Sequence, residues 1–525
     1  MESNSQIKYL IGNLPEIYQP IYGFNEFDGN SSRSCYDRWW IVQSVADKLR
    51  SELQRPLRIL DIGCAQGFFC FNLAAVGDEV YGIDIVPQNV ELCTELSKVL
   101  SLPATFVVAD CVAGIDALPI KEFDLIIGLS VFHHLCHHIG FETTRNFIGL
   151  LAQRTAACLI ETALREEPEK WATSLPDQPY ELLDQFAYFQ QISHHHTHLS
   201  KIQRPIYFCS NHYWYINEEL THFDSWTNTS HEFTNDAHKD SRRYYFTTNT
   251  MLKNFQLSGD EAESNREELV GEIKFLQSGF SVTHVLPRLL GFEMHEDSGW
   301  VLREKIPGIL LSTMIIKGLD YDPNVIIGDI LEQLAALEAH GLYHNDLRVW
   351  NVLISTQGSV RLIDFGAIED AARNVMVPKN IFLAFLVFIY EVTHRKIVTI
   401  RNLSPMFLKA ENYPDIYLNL IQGILSTHPQ QWSFSLFLKL FHEGEQKIIS
   451  AELNNSLRPW LNEIEGLIAK REMKLKYFEK VVIKKLSQES RKNTLQQKLI
   501  NIFLYNKFLV RFSKFSRYLN RPLVS

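Results

Sequence analysis

The sequence predicts an α/β domain built on a parallel sheet, followed by a second globular domain and a helical tail. Three features of the 525 residues support this order. Residues 57–165 alternate short apolar runs with helical patterns, which is typical of βαβ units. A polar stretch ends near residue 241, and apolar segments then resume. Beyond Pro459 the chain is rich in Lys, Glu, Leu and Phe and has no glycine after Gly466, which favours helix.

The first domain contains five strand candidates: 57–62, 79–85, 104–109, 123–129 and 157–163. At about 150 residues per domain, a chain of this length holds roughly three units. We therefore expect a covering segment over 1–50, the α/β domain over 51–217, a polar linker over 218–241, the second domain over 242–455, a short coiled-coil-like helix over 456–494 and a basic amphipathic helix over 495–525.

The net charge of −10 conceals a division between the body of the chain and its end. Residues 470–525 hold 15 basic and 3 acidic side chains, a net charge of +12, which leaves −22 for residues 1–469. An acidic body argues against nucleic acid as the main partner.

Three further features of the sequence bear on the compartment. The first residues lack the basic and apolar segments of a secretory signal. The longest apolar run, 381–390, is half the length of about 20 residues that a membrane span needs, and it predicts a buried core helix. Eight cysteines without a metal-like spacing suit a reducing environment. We expect a cytoplasmic protein.

The first candidate site is the turn Asp61-Ile62-Gly63-Cys64-Ala65-Gln66-Gly67, which follows a predicted strand. Its small residues allow the backbone to approach a ligand closely. Asp84 ends the next strand, where a carboxylate suits a pair of ribose hydroxyls. A dinucleotide site is the alternative, but the G-x-G-x-x-G spacing is absent. The Asp61 carboxylate would also repel a pyrophosphate and favour a cationic ligand.

This pattern resembles class I (Rossmann-like) methyltransferases, which use S-adenosylmethionine. Ala65 stands where glycine is commoner in that family, but it keeps the small volume. The resemblance implies that the methionine part of the donor contacts Asp61, Gly63, Ala65 and Gly67, that its ribose contacts Asp84, and that its adenine amine faces Asp110.

Two histidines follow the fourth strand candidate, in Ser130-Val131-Phe132-His133-His134. They lie at the carboxyl edge of the predicted sheet, where open α/β sheets bind ligands. His133 or His134 is therefore a candidate catalytic residue that touches the methyl acceptor. The alternative is a histidine at the start of a helix that only hydrogen-bonds to backbone.

The second candidate site lies in the second domain, within 344–366. Asp346 is placed to accept or orient a hydroxyl proton of a substrate, and Asn351 and Asp364 are placed to hold Mg²⁺ against the phosphates of ATP. Twelve residues separate Asn351 from Asp364, the length of a hairpin, so both can reach one ion. The pattern resembles the catalytic loop and the Asp-Phe-Gly motif of protein kinases, and it implies an α+β domain of two lobes.

The same resemblance implies further contacts with ATP. Lys253 matches the strand lysine that contacts the phosphates, and Glu272 is the candidate partner for it. The backbone at Glu304 and Ile306 matches the hinge that binds adenine. Arg348 occupies the catalytic-loop position where protein kinases usually carry lysine.

Two departures from protein kinases bear on the substrate. No Gly-rich loop precedes Lys253, and the basic segment 239–245 is expected to cover the phosphates instead. No Ala-Pro-Glu motif follows Asp364, and little chain separates Gly366 from the apolar run at 381. A peptide-docking loop is therefore too short, which favours a small molecule or a sugar as acceptor.

The end of the chain predicts an amphipathic helix. Tyr505, Phe508, Leu509, Phe512, Phe515 and Leu519 fall on one face, opposite Lys507, Arg511, Lys514, Arg517 and Arg521. Such a helix suits the surface of an anionic membrane. Docking on the acidic body or on a partner protein is the alternative. The heptads of 459–485 support at best a short coiled coil and leave the oligomeric state open.

Matching segments across residues 10–450 point to one family. They are Leu14-Pro15-Glu16-Ile17-Tyr18, Gly63–Phe69, Gly128–His134, Thr197-His198-Leu199-Ser200 and Ser210-Asn211-His212. Together with the two motif sets, they resemble the bifunctional kinase–methyltransferases that terminate bacterial polymannose O-antigen chains. The resemblance implies phosphorylation of the 3-hydroxyl of the terminal mannose on an undecaprenyl-linked glycan, then methylation of that phosphate. It also implies a polymannosyltransferase as partner and a place on the cytoplasmic face of the inner membrane.

For the phosphate of the methyl acceptor, Tyr18, Arg33 and Arg38 are the candidate contacts, and Tyr18 is also a candidate for the donor. Two other functions stay open at this point. One is a kinase–methyltransferase for a soluble metabolite, and the other is a nucleotide-binding scaffold that recruits a glycan polymerase.

Overall fold

The structure is a computed structural model, and it describes residues 2–118, 120–197, 201–233, 238, 240–280, 286–374, 378–398, 409–443 and 477. The segments predicted as a coiled-coil-like helix and a basic helix, 456–494 and 495–525, lie outside these residues apart from Tyr477. The chain forms two compact units. The first comprises Met1–Asn265 with Leu290–Lys305, and the second comprises Arg266–Leu289 with the chain from Ile306 on.

The first unit is built on a seven-stranded sheet in the order β3-β2-β1-β4-β5-β7-β6. Strands β1 to β5 pair in parallel, and β7 pairs antiparallel with both β5 and β6. All five predicted strands are present, which confirms an α/β fold with a mostly parallel sheet. The strands are β1 (Arg58–Ile62), β2 (Glu79–Asp84), β3 (Ala104–Val108), β4 (Phe123–Gly128), β5 (Thr155–Glu161), β6 (Tyr188–His195) and β7 (Arg204–Ser210).

Helices cover both faces of this sheet, and the strand side chains alternate between two cores. Ile59 and Leu125 contribute to one core, while Leu60 and Ile126 contribute to the other. Because β4 is covered on both faces, it is buried at every residue and is apolar except for Asp124, which pairs with Arg55. The helices are α1 (Glu2–Gly12), α2 (Tyr36–Leu53), α3 (Phe68–Ala74), α4 (Pro87–Leu100), α5 (Cys111–Gly114), α6 (Phe132–Ile139) and α7 (Phe141–Ala152).

The N-terminal segment has an apolar core of its own against the sheet domain. Ile7, Ile11 and Phe24 are buried together with Phe71 and Leu96. This packing fixes the chain that leads into residues 15–38, which reach the candidate site.

A second sheet belongs to the same unit, in the order β10-β11-β12-β14-β13. The segment 218–241 was predicted as a linker, but it carries β9 and β10. Strand β9 closes a hairpin with β8, and β10 is the first strand of the second sheet. The strands are β8 (Tyr213–Ile216), β9 (Glu219–His222), β10 (Ser225–Thr227), β11 (Arg242–Phe246), β12 (Thr250–Gln256), β13 (Leu289–Met294) and β14 (Ser298–Glu304).

The second sheet shares an apolar core with the methyltransferase-like part of the unit. Tyr245, Leu252 and Trp300 are buried in one cluster with Tyr188 and Phe208. The hydroxyl of Tyr245 also donates to the carbonyl of Ala187 at 2.7 Å. The two sheets are therefore parts of one folded body.

The second unit contains the helix-rich part of the second predicted domain. Helix α11 is buried along most of its length, as predicted for the apolar run at 381–390. Phe385 of this helix packs on Phe434 with ring centroids 5.9 Å apart. The elements are α8 (Ala262–Gln277), which begins in the first unit, β15 (Ile309–Leu310), α9 (Leu311–Lys317), α10 (Pro323–Ala339), β16 (Tyr343–His344), β17 (Val352–Ile354), β18 (Val360–Leu362), β19 (Ile368–Glu369), α11 (Ile381–His394), α12 (Asp415–Ser426) and α13 (Phe434–Glu443). Within the described part of the chain, no helix has both the length and the apolar character that a membrane crossing requires.

Candidate functional site

The glycine-rich turn after β1 has the backbone that its sequence predicts. Gly63 and Gly67 have φ of +74° and +73°, and Ala65 also lies in the left-handed region. A Cβ on Gly67 would lie 2.9 Å from the Phe71 ring and 3.1 Å from the Cys93 sulfur. Glycine is thus required at 67 both by conformation and by space.

Asp84 joins this turn to the end of β2. One of its oxygens accepts a hydrogen bond from the Ala65 amide at 2.8 Å, and the other accepts one from the Val86 amide at 2.8 Å. The side-chain amide of Asn89 donates to the second oxygen at 3.3 Å. These bonds hold the carboxylate at the carboxyl edge of the sheet, where the sequence places a ribose contact.

Asp61 is a buried carboxylate without a cationic partner among the described residues. Its only hydrogen bond in that part of the chain comes from the Cys70 thiol, at 3.3 Å. Burial raises the pKa of Asp61 to about 7, the Cys70 hydrogen bond opposes this rise, and the charge of Asp84 adds to it. A ligand that brings a positive charge would offset this burial. The residue therefore fits the cationic amino and sulfonium groups of S-adenosylmethionine.

Gln66 fastens the N-terminal segment to the turn. Its side-chain oxygen accepts from the amides of Tyr18 at 3.1 Å and Gln19 at 3.0 Å. Its nitrogen donates to the carbonyl of Glu16 at 3.2 Å and to Asn89 at 2.7 Å. The predicted covering segment thus lies on the turn itself.

A cavity of about 440 Å³ opens at this edge of the sheet. It brings together most of the residues predicted for donor and acceptor. Those that line it are Tyr18, Arg33, Arg38, Asp61, Gly63, Ala65, Asp84, His133 and His134. Asp110 is exposed and caps α5 through the amides of Val112 and Ala113. Neither Asp110 nor Gly67 belongs to the lining.

Arg33 and Arg38 converge on one buried carboxylate, Glu161 at the end of β5. Arg33 Nη2 lies 2.9 Å from both of its oxygens, and Arg38 Nε lies 2.6 Å from one of them. The Ser130 hydroxyl also donates to Glu161 at 2.7 Å. Burial alone would raise the pKa of Glu161, but the two guanidinium groups lower it to about 2. The two arginines therefore form an ion cluster inside the protein.

His133 is buried against aromatic rings on the other side of the cavity. Its ring lies 4.6 Å from that of Trp171 and 4.2 Å from that of His134. Burial and the charge of Arg204 lower the pKa of His133 to about 2, so the imidazole is neutral at physiological pH. Its Nδ1 is enclosed and has no hydrogen-bond partner within the described ranges. His134 lies on the exposed side of the pair.

Arg204 is a cavity residue that sequence reasoning missed. It begins β7 and is buried, and its guanidinium donates to Glu167 at 2.8 and 2.6 Å. No local motif marks it, because it reaches the cavity only when β7 joins the sheet beside β5. The one available signal was an arginine at the start of an otherwise apolar strand.

The catalytic-loop residues Asp346 and Asn351 contact each other in the second unit. The side-chain amide of Asn351 donates to Asp346 Oδ2 at 2.8 Å and to the Asp346 carbonyl at 2.7 Å. Asp346 Oδ1 is enclosed, and no residue in the described part of the chain hydrogen-bonds to it. Burial raises the pKa of Asp346, which the Asn351 hydrogen bond and the charge of Arg348 oppose. The loop therefore holds one carboxylate oxygen ready for a hydroxyl or a metal ion.

The segment of Asp364 is anchored to the same loop. The amide of Ile363 donates to the carbonyl of Asn351 at 2.9 Å, and Asp364 has a left-handed φ of 68°. Gly366 packs so closely on α8 that a Cβ would lie 2.8 Å from the carbonyl oxygen of Glu268. Two oxygen-bearing side chains, at 351 and 364, are thus joined by the hairpin of β17 and β18, as the 12-residue spacing predicts.

Arg348 points its charge toward α11. Its guanidinium pairs with the buried Glu391 at 2.5 Å, hydrogen-bonds to the Val398 carbonyl and lies 4.1 Å from the Trp350 ring. These contacts tie the catalytic loop to the helical core. Its predicted catalytic role stays a prediction.

The remaining predicted ATP contacts are divided between the two units. Lys253 and Glu304 lie on β12 and β14 of the first unit, while Glu272 on α8 and Ile306 belong to the second. Lys253 is buried, with its Nζ 4.9 Å from the Phe255 ring. The pairing of Lys253 with Glu272 stays a prediction.

The basic segment predicted at 239–245 has two of its arginines turned into the protein. Arg242 and Arg243 are both buried. Arg242 donates to Asn265 at 2.6 Å, and Arg243 donates to the Ala187 carbonyl at 2.7 Å. These two arginines are therefore engaged inside the protein, and a phosphate-covering role for the segment stays a prediction.

Comparisons with known proteins match both parts of the chain. The sequence profile of a family described as "Methyltransferase domain" matches residues 53–174. The O-antigen chain terminator bifunctional methyltransferase/kinase WbdD of Escherichia coli is 38% identical over 458 residues, 84% of this chain and 63% of that protein. A solved structure of WbdD with its C-terminal bundle ordered matches with a TM-score of 0.76 and 35% identity, over 94% of this chain and 100% of that one.

The kinase-like part has matches of its own. Serine/threonine-protein kinase TAO1-A of Xenopus laevis is 28% identical over 138 residues, 25% of this chain and 13% of that kinase. This chain spans 63% of the length of the curated WbdD proteins that it matches.

Proposed function

Because this chain belongs to the family of WbdD, the O-antigen chain terminator bifunctional methyltransferase/kinase, we propose that it ends the growth of a lipid-linked bacterial polysaccharide. It phosphorylates the 3-hydroxyl of the terminal mannose with ATP. It then methylates that phosphate with S-adenosylmethionine.

The geometry of the catalytic loop supports the kinase step. Asp346 offers an enclosed carboxylate oxygen to the sugar hydroxyl, and Asn351 fixes the other oxygen. Asn351 and Asp364 carry the oxygen ligands that would hold Mg²⁺, which, when bound, offsets charge on the phosphates. Lys253 is the residue that contacts those phosphates.

The charges around the cavity carry the proposal for the methyl step. One side presents the buried Asp61, which lacks a cation among the described residues and suits a sulfonium donor. The same cavity is lined by Arg204, whose positive charge suits an anionic acceptor. A single cavity that is acidic toward one ligand and basic toward the other fits methyl transfer from a cation to a phosphate.

The chemistry of the acceptor supports the order of the two steps. A phosphate monoester has a second pKa of about 6, so it is a dianion and a nucleophile at neutral pH. A free sugar hydroxyl would need a strong base, whereas burial lowers the pKa of His133 to about 2 and makes it a weak base. Phosphorylation therefore creates the group that the second site methylates.

The direct test supplies ATP, S-adenosylmethionine and a short mannose oligosaccharide, and follows the products by mass spectrometry. We expect addition of phosphate and then of methyl. Asp346→Ala should abolish both products, while Asp320→Ala, a matched change at an exposed carboxylate of the same unit, should abolish neither. Methyl on an unphosphorylated sugar would contradict the order.

The basic end of the chain supports a site of action at the cytoplasmic face of the inner membrane, beside the polymannosyltransferase. Its net charge of +12 over 470–525 contrasts with the acidic body. Deletion of 495–525 should release the protein from the membrane fraction without loss of activity on a soluble oligosaccharide. Unchanged membrane fractionation would favour an enzyme of soluble metabolites.

A further inference from the structure

We propose that Arg204 and His133 form the subsite that holds the phosphate of the methyl acceptor. This inference rests on the methyl transfer proposed above and deepens it. It replaces the expectation that Arg33 and Arg38 hold the phosphate.

Most donors of Arg38 and Arg33 are already engaged, and Nε of Arg33, which has no partner among the described residues, is enclosed. Arg38 donates from Nε and Nη2 to Glu161, from Nη1 to Asp37 at 2.7 Å and from Nη2 to the His196 carbonyl at 3.1 Å. Arg33 donates from Nη1 to Tyr18 and Ser130, at 2.9 and 2.6 Å, and from Nη2 to Glu161. Because Glu161 and Asp37 also oppose the two positive charges, this cluster has little left for a further anion.

Arg204 differs in having part of its guanidinium uncommitted. Nε and Nη2 donate to the two oxygens of Glu167, a bidentate pair that fixes the plane of the group. Nη1 has no hydrogen bond to the described residues, and it is not among the enclosed atoms. The side chain lines the cavity. Arg204 therefore presents an oriented donor to whatever anion enters.

His133 completes the subsite from α6, the helix that follows β4. It is 2% exposed, it lines the cavity, and its Nδ1 has no partner among the residues that the structure describes. Its ring lies 4.6 Å from Trp171, and the Arg204 guanidinium lies 5.7 Å from the same indole. The two polar groups thus flank one aromatic ring. A buried histidine without a partner is costly unless a ligand supplies one.

The reaction at this subsite balances without a protein base. An oxygen of the phosphate dianion attacks the methyl carbon of the donor, and the new O–C bond forms as the S–C bond breaks. The electron pair of the S–C bond stays on sulfur, which becomes a neutral thioether. The dianion becomes a methyl phosphodiester monoanion, and no proton is released. Arg204 and His133 need only hold the phosphate in line with the methyl group.

The same chemistry has a second possible source, because the carboxylate of S-adenosylmethionine is also an anion. The two sources differ in a measurable way. An arginine for the donor controls the Kd of S-adenosylmethionine, whereas an arginine for the acceptor controls the KM of the phosphorylated sugar.

The test uses the full chain carrying both Arg204→Gln and Glu167→Gln, so that no buried charge is left unpaired. The matched control carries Arg145→Gln and Asp184→Asn, a similar pair outside the cavity. The acceptor is a mannose oligosaccharide phosphorylated in advance. Loss of charge-assisted hydrogen bonds should lower kcat/KM for methyl transfer by about 10- to 100-fold, mainly through KM. The Kd of S-adenosylmethionine should stay within about 2-fold of the wild-type value, because the substituted pair lies away from the donor.

Two results with the double variant would overturn the inference. A folded double variant with the KM of the wild type removes Arg204 from the acceptor site. A raised Kd for S-adenosylmethionine with unchanged KM assigns it to the donor. If the double variant does not fold, Arg204→Lys keeps the charge but lacks Nη1, and an unchanged kcat/KM in that variant overturns the inference equally. Failure of the wild type to methylate the phosphorylated sugar sinks the proposed function itself.

Discussion

Glu161 is the buried charge on which two predicted arginines converge, and its ionisation contributes to stability. Its pKa is lowered to about 2 from a usual 4.5. A lowered pKa in the folded state stabilises the protein above the unfolded pKa, and the contribution is lost as pH falls toward 2. At about 1.4 kcal/mol per pKa unit, the contribution at neutral pH is about 3 kcal/mol.

We therefore expect Glu161→Gln to lower the free energy of unfolding by about 3 kcal/mol at pH 7. Urea denaturation at several pH values measures this. The difference from the wild type should narrow below pH 4.5 and vanish near pH 2. Glu142→Gln, an exposed control, should change little. The same pH dependence in Glu161→Gln and the wild type would contradict the assignment.

The pKa of Asp61 is raised rather than lowered. This shift predicts that the protein releases a proton when the donor binds. Burial raises its pKa to about 7, so at pH 6 the free protein holds the carboxyl mostly protonated. A cationic donor favours the carboxylate, and binding should release a proton.

Calorimetry in buffers of different ionisation enthalpy tests this release. At pH 6 the wild type should release more protons on binding S-adenosylmethionine than Asp61→Asn, and the variant should bind about 10-fold more weakly or worse. Equal proton release in the two proteins would show that Asp61 does not face the cation.

At the scale of elements, several hydrogen bonds that hold the segment 15–38 come from one side chain. Gln66 makes bonds to the backbone of Glu16, Tyr18 and Gln19, and Gln19 returns a bond by accepting from the Phe68 amide at 3.1 Å. The side chain of Gln66 therefore links this segment to the glycine turn.

We expect Gln66→Ala to loosen this segment. Two buried backbone amides lose their acceptor, at about 1–3 kcal/mol each. Hydrogen exchange at Tyr18 and Gln19 should become at least about 10-fold faster, since local opening controls exchange. Gln153→Ala, an exposed control, should leave both amides protected. Unchanged protection in Gln66→Ala would mean that the apolar core of α1 alone holds the segment.

At the scale of the whole molecule, the boundary of the first unit does not coincide with the polar stretch in the sequence. The polar stretch at 218–241 predicted a linker, yet β10 lies within it, and the second sheet shares its core with Tyr188 and Phe208. Tyr245, Leu252 and Trp300 lie beyond that stretch but complete this core.

A chain that ends at residue 217 keeps the methyltransferase motifs but lacks these three side chains. It should therefore be less stable than the full chain. Each of the three large side chains contributes about 1.5–3 kcal/mol by burial. We expect a fall in Tm of roughly 10 °C or more, measured in the presence of S-adenosylmethionine. A chain ended at residue 494 is the control and should keep the wild-type Tm. Equal Tm values for the two truncated chains would show that the shared core contributes nothing.

Patterns in the sequence alone predicted the parallel sheet, the glycine turn with Asp61 and Asp84, and the catalytic loop that carries Asp346 and Asn351. These features depend on residues close together in the chain, so strand periodicity, turn chemistry and loop spacing are enough to predict them. The five strands were found within two residues of their observed ends.

Only the tertiary structure decided the roles of the arginines. The sequence does not distinguish Arg33, Arg38 and Arg204. In the structure, Glu161 pairs with the first two, whereas Glu167 pairs with only part of the Arg204 guanidinium. Arg243 belongs to the segment predicted to cover phosphates, but in the structure its guanidinium donates to the Ala187 carbonyl. The physical reason is that the use of a charge depends on its partners, and here those partners lie 37 to 128 residues away in the chain.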